Sequence, residues 1–291
     1  MSDPPACPRQ EATLDAQGGI CLHLEQFVPE RPRGHVVMVH GYAAHAGLYR
    51  HVAEILAADG LAVTGFDCRG HGRSTGRRGY AARFDEYLDD LDRVVARVRG
   101  LAPQLPLYLI GHSHGATIVL DAVLSRRQRP DRMVLAAPWL QLAMKVPRWK
   151  RGLGVLTARF WPTLALANGI QAHDITRNPE VVANFWKDPL VHHVATARWF
   201  AEATAAQQRI LATAAQLDVS TLLLLAGADR IVVNDASSAL AAQAPRFIRL
   251  HRFDGLFHEL FLEPEWPEVV AEICRFLAPE ATQEDHRVGS R

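Results

Sequence analysis

The chain has 291 residues, 48% of them hydrophobic, with 32 Lys and Arg against 31 Asp and Glu, a net charge of +1. That length suits one large core with an elaborated insertion better than two full domains, and the balanced charge leaves no broad field to hold nucleic acid, so small-molecule chemistry is the starting expectation. The opening MSDPPACPRQ does not read as a signal peptide and no apolar run reaches membrane-spanning length; Cys7, Cys21, Cys68 and Cys274 are scattered without a CxxC pair, which fits reduced thiols in a cytoplasmic protein.

In chain order, TLDAQGGICLHLEQF (13–27) predicts an antiparallel hairpin. HVVMVHG (35–41), LAVTGFDCRG (61–70), LYLIGHS (107–113), RMVLAAP (132–138) and TLLLLAGAD (221–229) predict buried strands, each ending in glycine or polar residues. Between them GLYRHVAEILAADG (47–60), FDEYLDDLDRVVARVRG (84–100) and GATIVLDAVLSRR (115–127) carry apolar residues three and four apart and predict helices. This alternation predicts a mostly parallel sheet with helices on both faces. It stops after LAAPWL: residues 139–217 are helix-prone and form an expected cap between core segments 12–138 and 218–279, while 1–11 and 280–291 are expected to be flexible termini. A separate partner-binding module is the alternative for the inserted segment.

GHSHG (111–115) completes the pattern G-x-S-x-G, with a strand before it and a helix after it. A serine on such a sharp turn is forced into a strained backbone, and glycine on either side leaves room for it. Its hydroxyl is a weak nucleophile that needs a general base, which in turn needs an orienting carboxylate. In a sheet of this kind the chain order is serine, acid, histidine. Asp229 directly follows the strand TLLLLAGA, whereas Asp235 is better placed to cap the next helix. Of the later histidines, His251 lies in a strand-like run and His286 in the tail, which leaves His258 in the loop DGLFHEL. An oxyanion needs two donors, and the N–H groups of His114 and Tyr42 are the expected pair, with His40 shaping the turn between them. His112 and His114 form an HxH pair, but the further ligands of a metal hydrolase do not follow, so neither metal nor cofactor is expected.

At this point the chain resembles the monoacylglycerol lipase and lysophospholipase branch of the serine α/β-hydrolases. The motifs are HGYAAHAGLY (40–49), FDCRGHGRSTGRRGY (66–80), GHSHG, ITRNPEVV and DPLVHH in the insertion, AGADRIV and FHELF, together covering roughly residues 25–278. The resemblance implies an α/β-hydrolase fold, a mostly parallel sheet of about eight strands with a helical cap over an acyl pocket. It gives Ser113, Asp229 and His258 the triad roles and the N–H groups of Tyr42 and His114 the oxyanion hole. The substrate it implies is an acyl ester, and a thioester, an amide or acyl transfer could use the same triad, as could a slowly hydrolysing receptor. Asp67 and Arg69 are expected to satisfy each other in a buried turn. Relatives carry polar groups where this chain has Ala44, Leu48 and Phe261, which predicts a pocket with less taste for glycerol hydroxyls. In the cap, Trp149, Phe160 and Trp161 are interleaved with basic residues, so they are expected either to line the acyl pocket or to touch a lipid surface transiently. The oligomeric state stays open.

Overall fold

The computed structural model describes residues 7–143 and 157–279. Its main sheet has eight strands in the order β1-β2-β4-β3-β5-β6-β9-β10. β1 (Arg9–Asp15) and β2 (Cys21–Phe27) form the hairpin, and β2 also runs antiparallel to β4 (Leu61–Phe66). β3 (Gly34–Val39), β5 (Leu107–His112), β6 (Arg132–Ala136), β9 (Ser220–Ala226) and β10 (Ile248–Phe253) continue from β4 in parallel.

The near-continuous apolar runs of the central strands follow from burial on both faces. Val37, Val39, Leu107, Leu109 and Leu135 face the layer of α2 (Asp85–Leu101) and α3 (His114–Leu124), and the alternate residues Val36, Met38, Ile110 and Val134 face α1 (Arg50–Ala58). β10 is an edge strand, and Arg249 and Arg252 on it mark an edge protected by charge. Every residue of α3 is buried, which explains why GATIVLDAVL is apolar nearly all round rather than on one stripe.

The chain between β6 and β9 contains a two-stranded ribbon, β7 (Ala165–Ala167) with β8 (Val194–Thr196), and the short helices α4 (Ala172–Ile175) and α5 (Pro179–Asn184). Three-residue strands are too short to show a period, so the sequence reads them as part of a helical stretch. The long helix α6 (Ala197–Thr213) is different in kind: Trp199, Ala203, Ala206 and Ile210 join the main core, and Arg209 pairs with the buried Asp121 of α3 at 2.5 and 3.1 Å. α6 is thus a layer of the core, and the part lying over the sheet ends near Thr196, short of the expected residue 217. At the other end Arg9, Gln10 and Glu11 already pair with Phe27, Gln26 and Glu25, so order begins before residue 12. α7 (Asn234–Gln243) and α8 (Trp266–Leu277) complete the fold.

Carboxylates, Glu263 buried among them, tie the overlying segment down. Glu263 accepts the backbone N–H of Arg177 at 2.7 Å and its Nε–H at 2.5 Å, the guanidinium also reaches Glu265, and Asp188 pairs with His45 at 3.0 Å. Asn178 caps α5 through Glu180 and Val181, with Pro179 at its first position. Close backbone contact fixes the start of α3: a Cβ on Gly115 would lie 2.1 Å from the carbonyl oxygen of Val39, whereas one on Gly100 in α2 would meet nothing within 4 Å. Gly115→Ala is therefore expected to lower unfolding free energy by at least about 2 kcal/mol and Gly100→Ala to raise it by up to about 1 kcal/mol. Urea titrations of both variants check this, and equal midpoints would contradict the tight docking of α3.

Candidate active site

Ser113 stands between β5 and α3 with φ 50° and ψ −113°, a left-handed backbone unusual for a residue with a side chain. Neighbouring chain ends hold it there. Its N–H donates to the carbonyl of Ala136 at 2.9 Å, and its own carbonyl accepts from Thr117 and Trp139, both at 3.1 Å. A Cβ at Gly111 would approach Ala116 to 2.6 Å, so the turn can be this sharp only with glycine there.

The loops after β9 and β10 supply the next two groups. They pack so closely that a Cβ on Gly227 would lie 2.7 Å from Cα of Asp254. Ser113 Oγ lies 2.9 Å from His258 Nε2, and His258 Nδ1 lies 2.8 Å from Asp229 Oδ2. Asp229 Oδ1 accepts from the N–H groups of Ile231 and Val232 at 2.8 and 2.9 Å, which fixes the carboxylate plane. Asp235 lies in the first turn of α7 and does not cap it. Burial pushes the Asp229 carboxyl up, but the charge and hydrogen bond of His258, with the two N–H groups, bring it below its ordinary value. For His258 burial pulls down, and Asp229, with help from Glu259, more than reverses this, raising the imidazole above its ordinary value.

Gly41 and Tyr42 follow β3 and border Ser113; a Cβ on Gly41 would lie 2.8 Å from His112 and 3.5 Å from Cβ of Ser113. His40 donates from Nδ1 to the Gly41 carbonyl at 2.7 Å and accepts the Cys68 N–H at Nε2, so it shapes this turn. The Tyr42 ring stacks on Trp199 at 3.7 Å, and its hydroxyl donates to the Val194 carbonyl at 2.8 Å. His112 and His114 diverge. His112 contacts Tyr49 and His258, whereas His114 sits edge-on to Tyr42, Phe84 and Tyr87. Among the described residues Glu11, His23 and Glu25 form the one cluster with metal-ligand spacing, and Arg50 already engages Glu25 at 2.5 and 2.7 Å.

A cavity of about 790 Å³, including its open mouth, reaches Ser113 and His258. Its wall is largely apolar, with Trp139, Ile175, Phe185, Trp199, Phe200 and Ile231 on it. Several expected pocket residues lie elsewhere. Ala44 and Phe261 are buried, the latter against Tyr49 and His112, and Leu48 is half-buried between two hydrophobic clusters; none of the three lines the cavity. Phe160 and Trp161 are 65% and 70% exposed and do not line it, and Trp149 falls outside the described residues. Asp67 and Arg69 do not pair: Asp67 accepts the N–H groups of Ala46 and Arg73 at 2.8 and 2.7 Å, and Arg69 engages Asp90 twice at 2.6 Å. The cavity instead contains two polar residues that the motifs did not single out, Asn168 and Glu259. Only the direct adjacency of Glu259 to His258 marks it in the sequence.

A family model described as Serine aminopeptidase, S33 matches residues 30–265. The chain belongs to this family. A monoacylglycerol lipase of Mycolicibacterium smegmatis is 32% identical over 272 residues, 92% of this chain and 97% of that protein. Phospholipase YtpA of Bacillus subtilis is 29% identical over 247 residues, 82% of this chain and 93% of that protein. The crystal structure of a monoacylglycerol lipase from Paleococcus ferrophilus superposes with a TM-score of 0.80 at 29% identity, covering 88% of this chain and 97% of that one. The resemblance drawn from short motifs therefore extends over most of the chain, which is a serine α/β-hydrolase like the monoacylglycerol lipases. No helix among the described residues is long and apolar enough to cross a membrane.

Among the described residues this hydrolase buries five neutral imidazoles around its site, His40, His71, His112, His114 and His192. Burial, with some mutual repulsion, holds His40 and His192 down at about 4 and His112 and His114 at about 3, and puts His71 well below its ordinary value. In the unfolded chain each takes up its proton near the ordinary value of about 6.5, so the unfolded state binds more protons between there and the folded values. Stability is accordingly full above that ordinary value and falls as pH drops toward 4 to 3. The denaturant midpoint is expected to fall steeply over this interval, and His114→Leu to reduce the slope by about one proton, or about 1.4 kcal/mol per pH unit. A flat midpoint from pH 7 to 4 would contradict it.

Proposed function

We propose that the chain hydrolyses acyl esters of the monoacylglycerol or lysophospholipid kind through an acyl-enzyme on Ser113. The observation that carries the reading is the continuous line from Ser113 Oγ to His258 to Asp229, at 2.9 and 2.8 Å, opening on a largely apolar cavity. The Ser113 hydroxyl attacks the acyl carbonyl while His258 takes its proton; His258 returns the proton to the leaving alcohol, and water then attacks the acyl-enzyme with His258 as base again. Asp229 keeps hydrogen on Nδ1 and stabilises the imidazolium. The N–H groups of Tyr42 and His114 receive the oxyanion, the first held by the pinned Tyr42 ring and the second presented at the start of α3. The names of the similar proteins, lipases and a phospholipase, favour an ester over a thioester or amide.

The exposed Phe160, Trp161, Leu164 and Leu166 support contact of the overlying segment with a lipid surface, where a lipase meets its aggregated substrate. Four free cysteines, Cys7, Cys21, Cys68 and Cys274, fit a reducing compartment, and we take this to be the cytoplasm.

A fluorophosphonate is expected to label the chain once, and Ser113→Ala to abolish labelling and turnover; labelling of the variant would overturn the assignment. Asp229→Asn is expected to cost about four orders of magnitude in kcat. Because Asp229 raises His258, kcat/KM should rise with pH through a midpoint above about 6.5, and a midpoint below that value would contradict the pairing. Trp161→Ser with Phe160→Ser should slow hydrolysis of vesicle-borne monoacylglycerol and leave a soluble short-chain p-nitrophenyl ester unaffected. Equal effects on both substrates would rule against surface contact.

A further inference from the structure

Beside the site lies a buried polar group that the hydrolytic steps do not use. Glu259 is 4% exposed, with Oε1 lying 3.0 Å from the Tyr49 hydroxyl. The same hydroxyl is 3.1 Å from His112 Nδ1, and His112 Nε2 is 3.0 Å from the backbone carbonyl oxygen of His258. The hydrogens along this line can be counted. A carbonyl oxygen only accepts, so Nε2 of His112 carries hydrogen. Complete burial holds that ring neutral, at about 3, so its Nδ1 has a lone pair and must accept. Tyr49 has one hydroxyl hydrogen, and it goes to Nδ1. The phenol oxygen can then only accept from Glu259, which requires the carboxyl to carry its own hydrogen. If Glu259 were ionised and took the phenol hydrogen instead, the Nδ1 lone pair would face the phenol oxygen at 3.1 Å and a carboxylate at 3.4 Å, unpaired and buried.

We propose that Glu259 is a positioning residue that acts as a protonated carboxylic acid: its hydrogen begins a chain through Tyr49 and His112 that ends on the backbone of His258 and holds the imidazole in line with Ser113. This deepens the function proposed above and rests on His258 being the base. The surroundings favour the protonated form. Burial raises the Glu259 carboxyl to about 7, with Asp229 after β9 and Glu263 in its own loop pushing the same way. Against them stand the positive charge of His258 and the hydrogen bond of Tyr49, from the turn entering α1. Facing it from β5 is His112, which is neutral, and Arg177 is committed to Glu263 and Glu265. When His258 is neutral, as it must be to accept the serine proton, its downward pull vanishes. Glu259 therefore keeps its hydrogen in the form of the enzyme that starts a turnover and loses it at higher pH. The two groups titrate as a coupled pair, giving an ascending limb from His258 and a descending limb from Glu259.

The test is kcat and KM for a soluble short-chain ester from about pH 5 to 10, with thermal unfolding recorded at each pH, for the wild type, Glu259→Gln, Glu259→Ala and Tyr49→Phe. The wild type is expected to show both limbs while folded throughout. Glu259→Ala and Tyr49→Phe should lower kcat about tenfold, the scale of one hydrogen bond, with KM changed little. Glu259→Gln, whose amide donates to Tyr49 at every pH, should recover most of the kcat lost in Glu259→Ala and lose the descending limb while keeping the ascending one. A wild-type profile flat at high pH, a descending limb that survives in Glu259→Gln, or a Gln variant as impaired as the Ala variant would each overturn the proposal. Should Glu259→Gln fail to fold, a Tyr49→Phe profile identical to wild type overturns it and one lacking the descending limb supports it. Loss of the ascending limb in the wild type would instead strike at His258 as base.

Discussion

The left-handed backbone of Ser113 is the constraint on which the rest of the site depends. A side-chain-bearing residue keeps such a conformation only when its surroundings over-determine it. Here the carbonyl of Ala136 at the end of β6, the start of α3 and the carbonyls at the end of β3 do so together. That requires β5 to lie between β3 and β6 in the sheet, with α3 pressed against β3 closely enough to exclude a single Cβ at Gly115. The same strand order delivers the remaining groups. The turn after β3 borders Ser113 on one side, and β9, next to β6, brings Asp229 within reach of the loop that follows β10. The geometry of three side chains is thus a consequence of how five parallel strands are ordered.

Two buried carboxyls near one imidazole illustrate how environment assigns opposite roles to like groups. Asp229 receives two backbone N–H groups and the imidazole N–H, all favouring the anion, and sits below its ordinary value despite burial. Glu259, next to His258 in the chain, has the Tyr49 hydroxyl at 3.0 Å and the neutral His112 at 3.4 Å as its polar neighbours and is driven up. The difference lies in the donors that Asp229 receives and in the fuller burial of Glu259.

The strands, the principal helices and the residues Ser113, Asp229 and His258 were legible because each depends on a local signal: an apolar run ended by glycine, a pentapeptide between strand and helix, an acid at a strand end. Other features depend on partners far along the chain. Asp67 and Arg69 look paired because they are two residues apart, yet backbone N–H groups from Ala46 and Arg73 and the carboxylate of Asp90 claim them. α6 resembles the segment before it in composition, and only its contacts, Trp199, Ala203, Ala206 and Ile210 in the main core and Arg209 on the buried Asp121, show that it is core. Phe160 and Trp161 read equally as pocket or surface, because hydrophobicity says that a ring leaves water but not where it goes. Glu259 had no signal beyond its neighbour.

The insertion is attached to the site more firmly at one end than its exposed aromatic residues suggest. His192 N–H donates to the Ala43 carbonyl at 3.2 Å, the Thr196 N–H and hydroxyl both donate to Gly79 at 3.0 and 2.8 Å, and Val194 holds the Tyr42 hydroxyl. Residues 192–196 are therefore part of the wall that fixes the turn after β3. A displacement of residues 192–196 would carry that turn with it. Whatever reaches Ser113 from this side therefore meets a wall set by the same hydrogen bonds that shape the turn after β3.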